Sequence, residues 1–133
     1  MFYQITRALL LCAVAMPVSL FSMSASLLAI TPKVDCAKAN NTVEMKYCSQ
    51  LSYQATDRQL NQVYRKVLAT TQGTPRQLLV TGQQAWIKFR DNNCDFEVYQ
   101  SRGGTGYEIF RNGCLEKLTK QRTQDLQDYL TSK

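Results

Sequence analysis

Four cysteines, Cys36, Cys48, Cys94 and Cys114, are the side chains of this 133-residue chain best suited to chemistry, and no histidine accompanies them. Without histidine, nucleophilic catalysis through a Ser/His or Cys/His pair is excluded by composition. Zinc is disfavoured for a related reason. The four cysteines lack the close Cys-x2-Cys pairs of a structural zinc site, and no imidazole can complete a mixed one. The expectation is therefore no metal and no cofactor. What remains for these cysteines is disulfide formation, which belongs to an oxidising compartment.

Carboxylates are the other chemistry-bearing pairs. Asp91 with Asp95 and Asp125 with Asp128 each lie about one helical turn apart. Two carboxylates suffice for glycoside hydrolysis, but only across a cleft that holds the sugar, and a small helical domain offers no obvious one. A non-enzymatic chain is the expectation. Gly103-Gly104-Thr105-Gly106 resembles a phosphate-cradling loop in composition alone, without the following lysine. With Arg102 and Tyr107 beside it, this loop reads instead as a contact surface on a rigid scaffold.

The start of the chain bears on compartment. Arg7 precedes an apolar run from Ala8 to Phe21 and a tract of small residues, Ser22-Met23-Ser24-Ala25-Ser26. This order reads as a secretory signal peptide over residues 1–24, cleaved after Ser24 or Ser26; an uncleaved anchor is the competing reading. Leu11 before Cys12 and Asp35 before Cys36 do not fit a lipid-attachment site, so a lipoprotein is not expected. Removal of 24 residues leaves about 109, enough for one domain with a modest core. Fifteen basic residues then face ten acids, a net charge of about +5. The cations are scattered, as on a solvated surface, although attraction to an anionic envelope component also follows from the sign.

Three helices must position these groups in a domain over residues 33–133. Asn41 or Thr42 opens the first, with Glu44 placed for a capping box, and it runs to about Thr70. Its apolar residues fall in two phases, Met45, Cys48, Ser52 and Ala55, then Leu60, Val63, Tyr64, Val67 and Leu68, which predicts a bend near Ala55–Arg58. Gly73 ends that helix, and Thr74-Pro75 opens the second, to about Tyr99, with Leu78, Leu79, Gly82, Ala85, Trp86, Phe89 and Phe96 at helical period. Gly82 predicts the close approach of a neighbouring helix. The third starts between Tyr107 and Gly113 and runs to about Leu130. The fold class is all-α, a small bundle of about three helices stapled by two disulfides.

Four cysteines allow three pairings. Placed on these helices, Cys36 folds back locally to Cys48, and Cys94 and Cys114 bracket the glycine loop, so that pairing is favoured. Trp86 reads as a core anchor. Arg90, Asp91, Asp57, Asn61 and Arg122 read as interhelical polar contacts that set register, with a partner-binding cluster as the alternative.

A pattern spans nearly the whole exported part: Cys36-Ala37-Lys38-Ala39, Thr42-Val43-Glu44, Cys48, Leu51, Asp57, Leu60-Asn61, Tyr64, Gln83, Trp86, Arg90-Asp91, Cys94, Cys114, Thr119 and Arg122. It resembles the LprI-type lysozyme inhibitor family. The resemblance implies a helical, exported protein of the bacterial envelope, periplasmic or secreted, that inhibits a lysozyme or another peptidoglycan hydrolase by occlusion. It differs from the family's namesake, a lipoprotein, in lacking a lipobox. The motif residues read as scaffold, namely Glu44, Asp57, Asn61, Tyr64, Gln83, Trp86, Arg90 and Arg122. The expected partner surface therefore lies on the loop from Tyr99 to Phe110 and nearby carboxylates: Asp91, Asp95, Glu97, Arg102, Gly103, Gly104, Tyr107 and Glu108. The alternative is a cationic envelope-binding or structural module without an enzyme target. No nucleic-acid partner and no membrane span after cleavage are expected.

Overall fold

A computed structural model describes residues 34–132; the expected leader, its cleavage sites and Cys12 lie outside the described residues. Three helices follow in order: α1 (Thr42–Thr70), α2 (Gly73–Glu97) and α3 (Tyr107–Thr131), with a single 3-10 turn at Tyr99–Ser101. Among the described residues there is no strand, and no helix is long and apolar enough to cross a membrane. Both disulfides form as the placement favoured, Cys36–Cys48 and Cys94–Cys114, with Cα separations of 5.5 and 5.6 Å.

Local chemistry sets the boundaries. Asn41 caps α1 by accepting from the Glu44 backbone N–H at 3.0 Å, while the Glu44 carboxylate accepts from the Asn40 N–H at 3.3 Å, so the box closes one residue early. Gly73 takes a φ of +61°, a backbone setting that glycine enters without a side-chain penalty, and this turns the chain from α1 into α2. No side chain caps α2; the Thr74 hydroxyl expected there makes no such bond.

Side-chain partners give the topology. Lys46 pairs with Glu108, Ser49 accepts from Asn112, and Leu60, Val63 and Val67 pack on Leu126, so α1 and α3 run parallel. They form the most extensive helix pair, with α2 antiparallel to both and leaning mainly on α3. Buried threonines help α1 and α3 approach. Thr56 and Thr123 donate to the carbonyls of Ser52 and Thr119, one turn back, so small side chains are buried without leaving a hydroxyl unpaired.

Two apolar rows read from the sequence turn out to lie mostly at the surface. α1 runs uninterrupted through Ala55–Arg58, and the first of its two apolar phases is largely surface, with Met45, Ser52 and Ala55 exposed. On α2 the inward row is Leu79, Gln83, Trp86, Arg90 and Cys94, continued by Val98 just past its end, whereas Leu78, Phe89 and Phe96 face outward and, among the described residues, nothing lies within 4 Å of where a Gly82 side chain would begin. Polar residues displace aromatic ones from the interior because partners on α1 and α3 satisfy them.

Candidate functional site

Arg90 organises the middle of the bundle. It is only 6% exposed, yet every face of its guanidinium is occupied. Nε donates to Asp91 Oδ1 at 2.9 Å; one terminal nitrogen reaches Asp57 Oδ1 at 3.3 Å and Thr119 Oγ1 at 3.4 Å. The Trp86 and Tyr53 rings lie 5.2 and 5.6 Å from its central carbon. Asn61 donates to the carboxylate of Asp57 at 3.0 Å and holds it, while Arg122 donates to the buried Gln83 amide oxygen at 3.0 Å. Gln83, Trp86 and Arg90 recur at three and four residues, so one face of α2 carries all three inward. Among the described residues no buried side-chain polar atom is left without a partner. A network so fully satisfied internally positions helices and leaves little for a ligand.

Toward the loop the chemistry becomes accessible. A cleft of about 400 Å³ opens between the first half of α1 and the start of α3, lined by Gln50, Tyr53, Gln54, Tyr107, Arg111 and Asn112, among others. Of the residues singled out in the sequence, Tyr107 and Glu108 reach this cleft. Asp95 stands behind it, accepting from Arg111 Nε at 2.6 Å; that hydrogen bond, outweighing burial, raises the Arg111 pKa above its ordinary value and keeps the guanidinium charged. Burial raises the Tyr53 pKa, with Asp57 and Asp91 adding to it and Arg90 opposing, so the phenol stays neutral. Gln50, Gln54, Arg111 and Asn112 were not singled out. Their one available signal is spacing, since 50, 53, 54 and 107, 108, 111 repeat at helical period, but only the parallel pairing of α1 with α3 joins the two rows.

The remaining expected surface residues spread around this end. Asp91 lies with Arg90, and Glu97 Oε2 sits 3.5 Å from Cys114 Sγ, a contact without a proton to share because the sulfur is oxidised. Arg102 stacks on Tyr99 at 4.9 Å, and Gly103 turns at a φ of +80°. Asp91, Asp95 and Glu108 therefore each have a cation alongside, Arg90, Arg111 and Lys46. Among the described residues no group of three metal-ligating side chains gathers.

A three-helix bundle with a buried arginine layer and a disulfide at its loop end defines a small, covalently braced scaffold whose polar interior is paired within itself. The family model for lysozyme inhibitor LprI matches residues 35–126, from just before the first disulfide to the last core leucine. The chain belongs to the lysozyme inhibitor LprI family. It is also 33% identical over 114 residues to the "Uncharacterized protein R02472" of Rhizobium meliloti (strain 1021), covering 76% of this chain and 82% of the relative. No solved structure matches.

Proposed function

We propose that this protein is exported to the envelope and inhibits a lysozyme by stoichiometric occlusion, performing no catalysis itself. The observation that carries the reading is the family match across the whole disulfide-bonded unit. The surface assigned to the target is the loop end, where the covalent Cys94–Cys114 link limits the motion of Tyr99, Arg102, Tyr107 and Phe110 and so reduces the ordering cost of binding. Tyr99 and Phe110 are each 58% exposed there and supply the apolar contact.

The net charge of about +5 that remains after removal of the leader works against long-range attraction to a basic lysozyme. With the nearby carboxylates already paired, recognition rests on short-range fit in place of steering. Purified protein should reduce muramidase turnover with a one-to-one endpoint, and Tyr99→Ala with Phe110→Ala should weaken inhibition at least about tenfold. Absence of inhibition across several lysozyme types, at micromolar protein, overturns the proposal.

A second reading keeps some support from one surface. Arg58, Arg65 and Lys66 share the outward side of α1, and among the described residues no carboxylate pairs with them. On that reading the protein is a cationic envelope module, and its retention on anionic envelope fractions falls with added salt.

A further inference from the structure

The outward side of α2 carries a row of residues that the core does not use: Leu78, Gly82, Ala85, Phe89, Asn92 and Phe96. Leu78 is 69% exposed, Phe89 58% and Phe96 82%, and among the described residues nothing lies within 4 Å of where a Gly82 side chain would begin. Their spacings are four, three, four, three and four residues, which keeps all six on one stripe about 27 Å long. The same spacings read identically in both directions about Ile87. We propose that this stripe is a self-association surface, pairing α2 with α2 of a second copy, antiparallel and about a two-fold axis at Ile87.

The order of sizes argues for a second copy in that direction. Antiparallel pairing sets Phe89 of one chain on Ala85 of the other, Leu78 against Phe96, and Gly82 against Asn92, so large meets small at the centre and the two-fold repeats each contact. Parallel pairing in register would stack Phe89 on Phe89 and leave a gap at Gly82. The ends match too. An apolar groove of about 410 Å³, lined by Val67, Pro75, Leu78, Leu79, Leu126 and Tyr129 among others, opens beside Leu78, where the partner's Phe96 arrives. The partner's Leu78 in turn meets the hollow lined by Phe96, Glu97, Tyr99 and Gln100.

One helix pair gives an interface at the low end of the stable range, so the dimer is reversible and dependent on concentration. Lys88 flanks the stripe, and the two-fold brings its two copies to the same side of the helix pair, offset by only about 3 Å along the helix axes. Repulsion between them makes added salt strengthen the dimer.

Sedimentation equilibrium on protein recovered from an exporting host tests this, with circular dichroism confirming that each variant is folded. The expected result is a monomer–dimer equilibrium that tightens with salt. Phe96→Asp and Ala85→Phe should each weaken it about tenfold or more, whereas Ala85→Phe combined with Phe89→Ala restores it by exchanging the sizes across the axis. A monomer at every concentration, a dimer indifferent to Phe96→Asp, or a monomer that needs Phe96 only to inhibit lysozyme overturns the assignment. Lysozyme inhibition by the Phe96→Asp monomer is measured separately, so failure here leaves the proposed function untouched.

Discussion

Leu60, Val63, Val67 and Leu126 close one end of the bundle by apolar packing without a covalent tie, whereas Cys94, Cys114 and Leu115 close the other around a covalent bond. Between them lies the layer of Arg90, Thr119 and Gln83, and Trp86 and Tyr53 connect it to one end each. The difference follows from what the chain can supply at each place. At the aliphatic end α1 and α3 offer β-branched and leucine side chains from adjacent turns, and Leu79, Tyr129 and Leu130 pack around them. At the loop end, nine residues separate α2 from α3 with no buried residue after Val98, so a bond does what apolar area does elsewhere. Small domains have little apolar area to spare, and covalent ties are a common complement.

The largest loss of stability is expected at the aliphatic end. Leu60 is 2% exposed and central to that cluster, so Leu60→Ala loses transfer energy and leaves a cavity that α1 and α3 cannot easily close. A destabilisation of about 4 kcal/mol is expected in urea unfolding. Replacing Cys94 and Cys114 together by alanine should come next, at about 3 kcal/mol from loop-closure entropy for a separation of 20 residues. If the ends are supported by different means, reducing agent removes the second contribution and leaves the Leu60→Ala difference intact. Equal sensitivity of both to reductant would mean that the two clusters unfold as one unit through the disulfide.

The helices and the disulfide pairing were legible because both depend on local order: caps, a glycine turn, and cysteines placed at element ends. The face α2 turns inward was not. Its two stripes, Leu78-Ala85-Phe89-Phe96 and Leu79-Gln83-Trp86-Arg90, lie about one residue apart around the helix, and hydrophobicity favours the first. Arg90 belongs inside only because Asp57 and Thr119 arrive from other helices, and a periodic pattern contains no information about such partners. The cleft was hidden similarly, since Gln54 and Asn112 are brought to one cleft only by the parallel run of α1 and α3.

The polar layer that divides the ends offers a smaller test. Arg90→Lys keeps the charge but loses the planar fork that reaches Asp91, Asp57 and Thr119 together, and the stacking between Trp86 and Tyr53. About 2 kcal/mol should be lost, with no change in the dependence of stability on reductant. A loss near zero would show that the layer needs only a cation and that geometry does not matter there.

Tyr53 gives the mildest and most specific prediction, because it joins the layer to the disulfide end and its pKa is raised first by burial, then by Asp57 and Asp91. A pKa raised in the fold means that the neutral phenol is favoured there. That contribution is complete below the unfolded value of about 10 and disappears as pH rises through the folded value. Tyr53→Phe should therefore change stability at neutral pH by under about 1 kcal/mol, yet lose less than the parent protein as pH climbs beyond about 10. The other tyrosines remain in both proteins and cancel in the difference. Urea unfolding across that alkaline range reads the result directly: diverging curves place Tyr53 inside the layer, and parallel curves would place its hydroxyl in solvent, with the loop end held by the disulfide and Leu115 alone.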